Sequence, residues 1–141
     1  MRDRDAISTL VDVPIDIKVQ LSALWTATMF CYIYCDYFGL YIPGKLEGMT
    51  RGEMGPLGAV TPGTLVGTSL LMAIPSLMIA LSVVLPARPN RILNIIVGAL
   101  YAILLALFAY TATWYFYTLF AGLEATLAAL IVARAWRWPA H

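Results

Sequence analysis

The sequence predicts an all-α integral membrane protein: a four-helix bundle running up-down-up-down, with both chain ends in the cytoplasm. Three observations predict it. Four apolar stretches, at approximately residues 19–41, 63–85, 92–110 and 115–136, are each long enough to cross a bilayer. A backbone in hydrocarbon must satisfy its own hydrogen bonds, so runs of about 20 apolar residues become spanning helices. Only 12% of the 141 residues are charged and 61% are hydrophobic, whereas a soluble domain carries about 25% charged residues. Finally, Lys and Arg fall mainly on one side of the predicted spans. Arg2, Arg4, Lys18, Arg88, Arg91, Arg134 and Arg137 share one side, and only Lys45 and Arg51 lie on the other. Basic flanks stay cytoplasmic, which sets the orientation in a bacterial inner membrane.

These four stretches leave little chain for a soluble unit, so residues 1–141 read as a single membrane domain. The net charge of +1 offers no basic stripe for nucleic acid. The N-terminal segment MRDRDAISTLVDVPIDIK mixes Asp with its basic residues and lacks an A-x-A cleavage site. It therefore does not read as a secretory signal, and the first helix is expected in the mature protein. Arg2 and the terminal Pro139-Ala140-His141 match no lipidation motif.

The first helix is expected to start near Pro14, with Asp12 as N-cap and Asp16 in its first turn. It ends before Ile42-Pro43-Gly44. The connection at 42–62 is rich in Gly and Pro and should lie on the outer face. A short interfacial helix within 45–54 and a plain tether are both open readings. The second helix begins at Thr61-Pro62, an N-cap followed by proline at the first helical position. Pro75 should kink it, because the carbonyl one turn earlier loses its donor. Pro86 and Pro89 make a tight turn, and Asn90 is expected to cap the third helix. The short connection at 111–114 makes helices three and four antiparallel neighbours. Tyr110, Trp114, Tyr115 and Tyr117 suit an outer aromatic belt, with Trp136 and Trp138 at the inner one.

Two acids sit inside predicted spans, Asp36 and Glu124. A carboxylate at the bilayer centre costs roughly 2.5–3.5 kcal/mol on insertion scales, so such residues turn toward protein or a wet cavity. At about 1.5 Å of rise per residue, Asp36 falls in the outer quarter of its helix and Glu124 near the middle of its own. No Lys or Arg shares their depth. Glu124 is therefore expected to hold a proton at neutral pH. The competing reading for Glu124 is a structural hydrogen bond to Tyr, Ser or backbone, and for Asp36 hydration near the headgroups.

Their surroundings read as an outer-half polar pocket. Tyr32, Asp36, Thr68, Tyr101 and Glu124 are its ligand- or proton-binding candidates. Ala121, Ala125 and Ala128 flank Glu124 and allow close helix approach. Thr61, Thr64, Thr68, Met72, Pro75 and Ser82 form a helical stripe expected to face protein, and Asn94, Gly98 and Tyr101 share one side. The alternative is that these groups only hold helices together, at about 0.6 kcal/mol per contact. Cys31 and Cys35 lie four apart on one face. Such pairs rarely reach disulfide torsions, so two buried thiols are the better reading. Gly63 and Gly67 form a GxxxG that would suit a dimer face. No catalytic motif, metal cluster or cofactor fingerprint is legible, and His141 is terminal.

The stretch LSALWTATMFCYIYCDYFGLYIPGKLEGM, with GPLGAVTPGTLVGTSLLMAIPSLMI and the terminal WRWP, resembles a bacterial family of small four-helix integral membrane proteins of unknown function. The similarity covers nearly the whole chain. Its most specific parts are the Tyr/Asp-rich end of helix one with Pro-Gly-Lys-Leu, and Leu-Met-Ala-Ile-Pro-Ser. The resemblance implies an integral membrane protein and supplies no activity or site residues. The architecture is also similar to DoxX-like membrane proteins, a likeness of fold that does not carry function.

Three functional readings follow. The leading one is a non-catalytic membrane protein that binds a small or lipophilic ligand, or serves as an accessory subunit, through the outer-half pocket. The second is a proton-linked small-molecule transporter acting as an oligomer through Glu124. The third is a quinone-contacting oxidoreductase subunit using Tyr101, although no cofactor ligand is recognisable. The lipid bilayer is the expected partner in each, with a homo-oligomer or a membrane partner subunit left open.

Overall fold

The computed structural model describes residues 12–139, so Arg2, Arg4 and His141 of the sequence reading lie outside the described residues. The chain forms α1 (Ile17–Gly39), a short α2 (Lys45–Thr50), a 3-10 turn (Gly55–Leu57), α3 (Pro62–Val84), α4 (Ala87–Thr111) and α5 (Tyr115–Trp136). Apart from an isolated bridge between Glu53 and Ala59, the described residues carry no extended pairing. The fold class is all-α.

The helix boundaries follow local chemistry, and two differ from the sequence expectation. α1 starts at Ile17 rather than near Pro14, and its cap is Asp16 rather than Asp12. The Asp16 Oδ1 accepts from the Lys18 backbone N–H at 2.8 Å, which satisfies one of the free donors of the first turn. Asn90 does not cap α4. That helix begins three residues earlier, after Pro86, and Asn90 is buried within its first turns. Pro89 permits this because a first-turn residue has no intrahelical acceptor for an N–H to reach. α3 starts as expected: Thr61 caps it, Pro62 follows, and Thr61 and Thr64 bond reciprocally as a capping box. α5 occupies its predicted range.

The connection at 42–62 contains the short helix α2, followed by a tight turn. Gly44, Gly52, Gly55 and Gly58 all adopt positive φ there, a region where a Cβ is strained. Arg51 Nε and Glu53 Oε1 pair at 3.1 Å on its exposed surface.

Three helices, α3, α4 and α5, are long and apolar enough to cross a membrane. The sequence reading counted four spans. α1 has the length, 23 residues, or about 34 Å. However, Gln20, Thr26, Thr28 and the tyrosines at 32, 34 and 37 dilute its apolar character. Large apolar side chains such as Leu70, Leu77, Ile96, Ile103, Leu107 and Leu119 stand exposed along α3, α4 and α5. A water-soluble fold keeps such patches small; lipid does not penalise them.

α4 packs along α5, α1 lies against both α5 and α3, and α3 meets α4 only lightly. Gly98 explains the intimate α4–α5 seam. A Cβ there would lie 3.0 Å from Val132 Cγ2 and 3.3 Å from Ile131 Cγ2, so only glycine fits without movement. The apolar core sits toward the end of the bundle where α1 starts and α5 finishes, with Leu21, Trp25, Met78, Ile131 and Ala135 buried together. On α3 only Pro75, Met78 and Ser82 are buried. The expected inward stripe therefore holds for its second half alone. Met72 and Thr61 are exposed, and Thr64 and Thr68 are half-buried.

Candidate polar site between the helices

Two polar layers lie among the long helices. In the layer nearer the start of α1, Trp25, Ser82, Asn90 and Asn94 are fully buried. Trp25 Nε1 donates to Asn94 Oδ1 at 2.7 Å, and Ser82 Oγ donates to the same oxygen at 3.3 Å. Asn94 Nδ2 donates to Asn90 Oδ1 at 2.7 Å and to the Asn90 carbonyl at 3.0 Å. Asn90 Nδ2 donates to the Ser82 carbonyl at 2.6 Å. One closed network thus ties α1, α3 and α4 together. Each polar group finds a partner, as burial demands. In the sequence Asn94 shows only as part of a helix face with Gly98 and Tyr101, without this network. Its signal was present in two asparagines four residues apart and an indole that needs an acceptor.

The second layer begins at Pro75. Proline has no N–H, so the carbonyl of Leu71 one turn earlier has no helical donor. The Tyr101 hydroxyl of α4 donates to that carbonyl. This bond spans the α3–α4 seam, where the backbones scarcely meet. Tyr101 is 2% exposed and stands edge-on to Trp25, with ring centroids 6.3 Å apart. The two layers are therefore joined through these rings.

Above it lie Glu124 of α5 and Tyr32 of α1. Glu124 is 3% exposed and Tyr32 7%. Among the described residues, Glu124 Oε1 and Tyr32 Oη are the buried side-chain oxygens with no hydrogen-bond partner. The two groups, with Cys35, lie within electrostatic range of one another. Tyr32 packs with Tyr101 and Ala128. Ala121 and Ala128, one turn either side of Glu124, are buried, so α5 presents the acid from its closely packed face.

The remaining candidates fall elsewhere. The structure turns Glu124 inward and leaves Asp36 exposed. The inward turn expected of both acids therefore applies to one. Asp36 sits three residues before the end of α1, within electrostatic range of Lys45. Thr68 is half-buried, and its hydroxyl donates to the Thr64 carbonyl of its own helix at 2.9 Å. The structure thus buries Tyr32, Tyr101 and Glu124 together; Asp36 stays exposed but within electrostatic range of Glu124, and Thr68 bonds within its own helix. Cys31 and Cys35 are free thiols, half-buried and buried. Gly63 and Gly67 are exposed; a Cβ at Gly67 would meet nothing within 4 Å, and one at Gly63 would make ordinary contact with Thr61 Oγ1 at 3.7 Å.

Chemically, a carboxyl and a phenol that each bury an unpartnered oxygen can hold a proton or hydrogen-bond a third group. Among the described residues no cluster of His, Cys, Asp or Glu could hold a metal ion.

No curated protein and no solved structure matches the chain. A family model covers nearly its whole length, from the residue where the described structure begins. On that match, over residues 12–141, the chain belongs to DUF6326, a family of unknown function.

Proposed function

We propose that the protein crosses a bacterial inner membrane four times, as an up-down-up-down bundle of α1, α3, α4 and α5 with both termini cytoplasmic. We propose further that it binds a small amphiphilic ligand between Glu124 and Tyr32. One observation carries the binding reading: the buried, unpartnered oxygens of these two residues. An unsatisfied polar atom in hydrocarbon costs several kcal/mol, and Leu and Phe would have avoided that cost. A molecule whose polar end donates to Glu124 Oε1 and accepts from, or donates to, Tyr32 Oη, on an apolar body, supplies what both oxygens lack. Tyr101 and Ala128 offer it an apolar wall.

The test is thermal unfolding of the detergent-solubilised chain with benzylamine or phenol added. Wild type is expected to be stabilised by at least one of the two, Glu124→Gln by neither, and Asp36→Asn like wild type. Equal stabilisation of Glu124→Gln, or none of wild type, overturns the reading.

The transporter reading is supported by a narrower observation. Among the described residues the one ion pair is Arg51–Glu53 on the surface loop, so Glu124 has no counter-cation. A transporter would show proton flux driven by benzylamine in sealed liposomes; a binding protein would show none.

A further inference from the structure

A second site lies at the opposite end of the molecule. Where the start of α1 meets the end of α5, a cleft of about 610 Å³ opens. Lys18, Arg134 and Arg137 line it, with Trp138 and a single acid, Asp16. That acid is already engaged, because its Oδ1 caps the Lys18 N–H. Lys18 Nζ donates to the Val83 carbonyl at 3.4 Å, and the neighbouring Arg91 spends its guanidinium on the Trp136 carbonyl at 3.1 Å. Arg134 and Arg137, by contrast, make no side-chain hydrogen bond or ion pair among the described residues. The cleft therefore concentrates three cations against one committed carboxylate.

A second, independent observation concerns what adjoins it. A groove of about 300 Å³ runs between α1 and α5, lined by Ala23, Leu24 and Leu130. Gln20 and Arg134 belong to both the groove and the cleft. A cationic compartment thus continues directly into an apolar channel one to two turns deeper in the helices. Snorkelling arginines alone would explain charge at this level. They would not explain a concave cleft joined to an apolar groove.

We propose that this composite site binds an anionic glycerophospholipid, its phosphate ester held by Arg134, Arg137 and Lys18 and one acyl chain laid along Ala23, Leu24 and Leu130. Guanidinium forks match phosphate oxygens two at a time. The indole of Trp138 suits the glycerol level between headgroup and chain. A free phosphate would use the cleft and leave the groove empty.

Native mass spectrometry of the full chain separates these occupants. Phosphatidylglycerol, phosphatidylcholine and inorganic phosphate serve as probes. Phosphatidylglycerol is expected to be retained in preference to phosphatidylcholine. Arg134→Gln and Arg137→Gln should each lower that preference about fivefold, since a basic residue near a lipid surface contributes about 1 kcal/mol. Ala23→Trp, a substitution at an exposed position that fills the groove, should weaken retention of the lipid and leave the arginines in place. Equal retention of the two lipids overturns the proposal, as does a preference that survives both arginine substitutions. Binding of inorganic phosphate with indifference to Ala23→Trp would replace the lipid by a soluble phosphate. The site shares no residue with Glu124 and Tyr32, so either can fail without the other.

Discussion

Tyr101 illustrates how one side chain repairs a defect that another residue creates. Pro75 removes the donor for the Leu71 carbonyl, and the Tyr101 hydroxyl supplies one from a different helix. Tyr101→Phe is expected to destabilise the protein by about 1–2 kcal/mol in detergent unfolding. In a Pro75→Ala background the helix regains its own N–H donor, so the same substitution should cost clearly less. A double-mutant cycle reads the difference; additive costs would show that the bond does not serve the proline. Asn94 bears more. It accepts from Trp25 and Ser82 and donates to Asn90. Asn94→Leu strands two buried donors and should lower stability by about 2–4 kcal/mol. The matching spectroscopic check is a shifted Trp25 emission as its indole N–H loses its partner. Much of this scale was legible beforehand. Pro75 and Tyr101 come out level from rise per residue alone, and an acid in mid-helix asks to be buried. The partner atoms were not legible, because a hydrogen bond between helices depends on rotation about each axis.

At the scale of elements, glycines separate tight seams from open faces. Gly98 is clasped between Val132 and Ile131, whereas Gly67 faces nothing within 4 Å. Gly98→Leu should force α4 off α5 and cost about 1–3 kcal/mol or more. Gly67→Ala should stabilise by up to about 1 kcal/mol through helix propensity and a less flexible unfolded chain. The two measured side by side check the packing, since a reversed order is incompatible with it. Sequence spacing had singled out Gly63 and Gly67 as a close-approach motif. That motif suits a dimer face, and among the described residues no helix of the same chain covers it. The early start of α4 has its own origin: Pro89 reads as a helix breaker by type, yet it is harmless in a first turn. Asp16 in turn displaced Asp12 as a cap because capping geometry is local to the first free N–H groups.

For the whole molecule the open quantity is the number of crossings. α3, α4 and α5 have the length and apolarity to span, and α1 has the length with a more polar composition. Single cysteines placed in a background lacking Cys31 and Cys35 decide it. With four crossings, a cysteine at Lys45 is labelled from outside the cell, and those at Arg88 and Asp12 are protected. With three crossings and α1 lying at the surface, Asp12 and Lys45 would report the same side and Arg88 the other.

Composition and periodicity alone were enough to set the all-α class of this protein, its four long helices, their order along the chain and the short turns after the second and third of them. Each of these depends on local quantities: transfer of side chains from water, backbone hydrogen bonds closed within one segment, and caps within one turn. Tertiary structure alone decided that Glu124 is enclosed while Asp36 is not, that Tyr101 serves Leu71, and that Trp25 joins two asparagines. It also brought the ends of α1 and α5 together into a cationic cleft. These facts turn on how far each rod is rotated and tilted against its neighbours, and that is settled by the interlocking of side chains from segments distant in sequence.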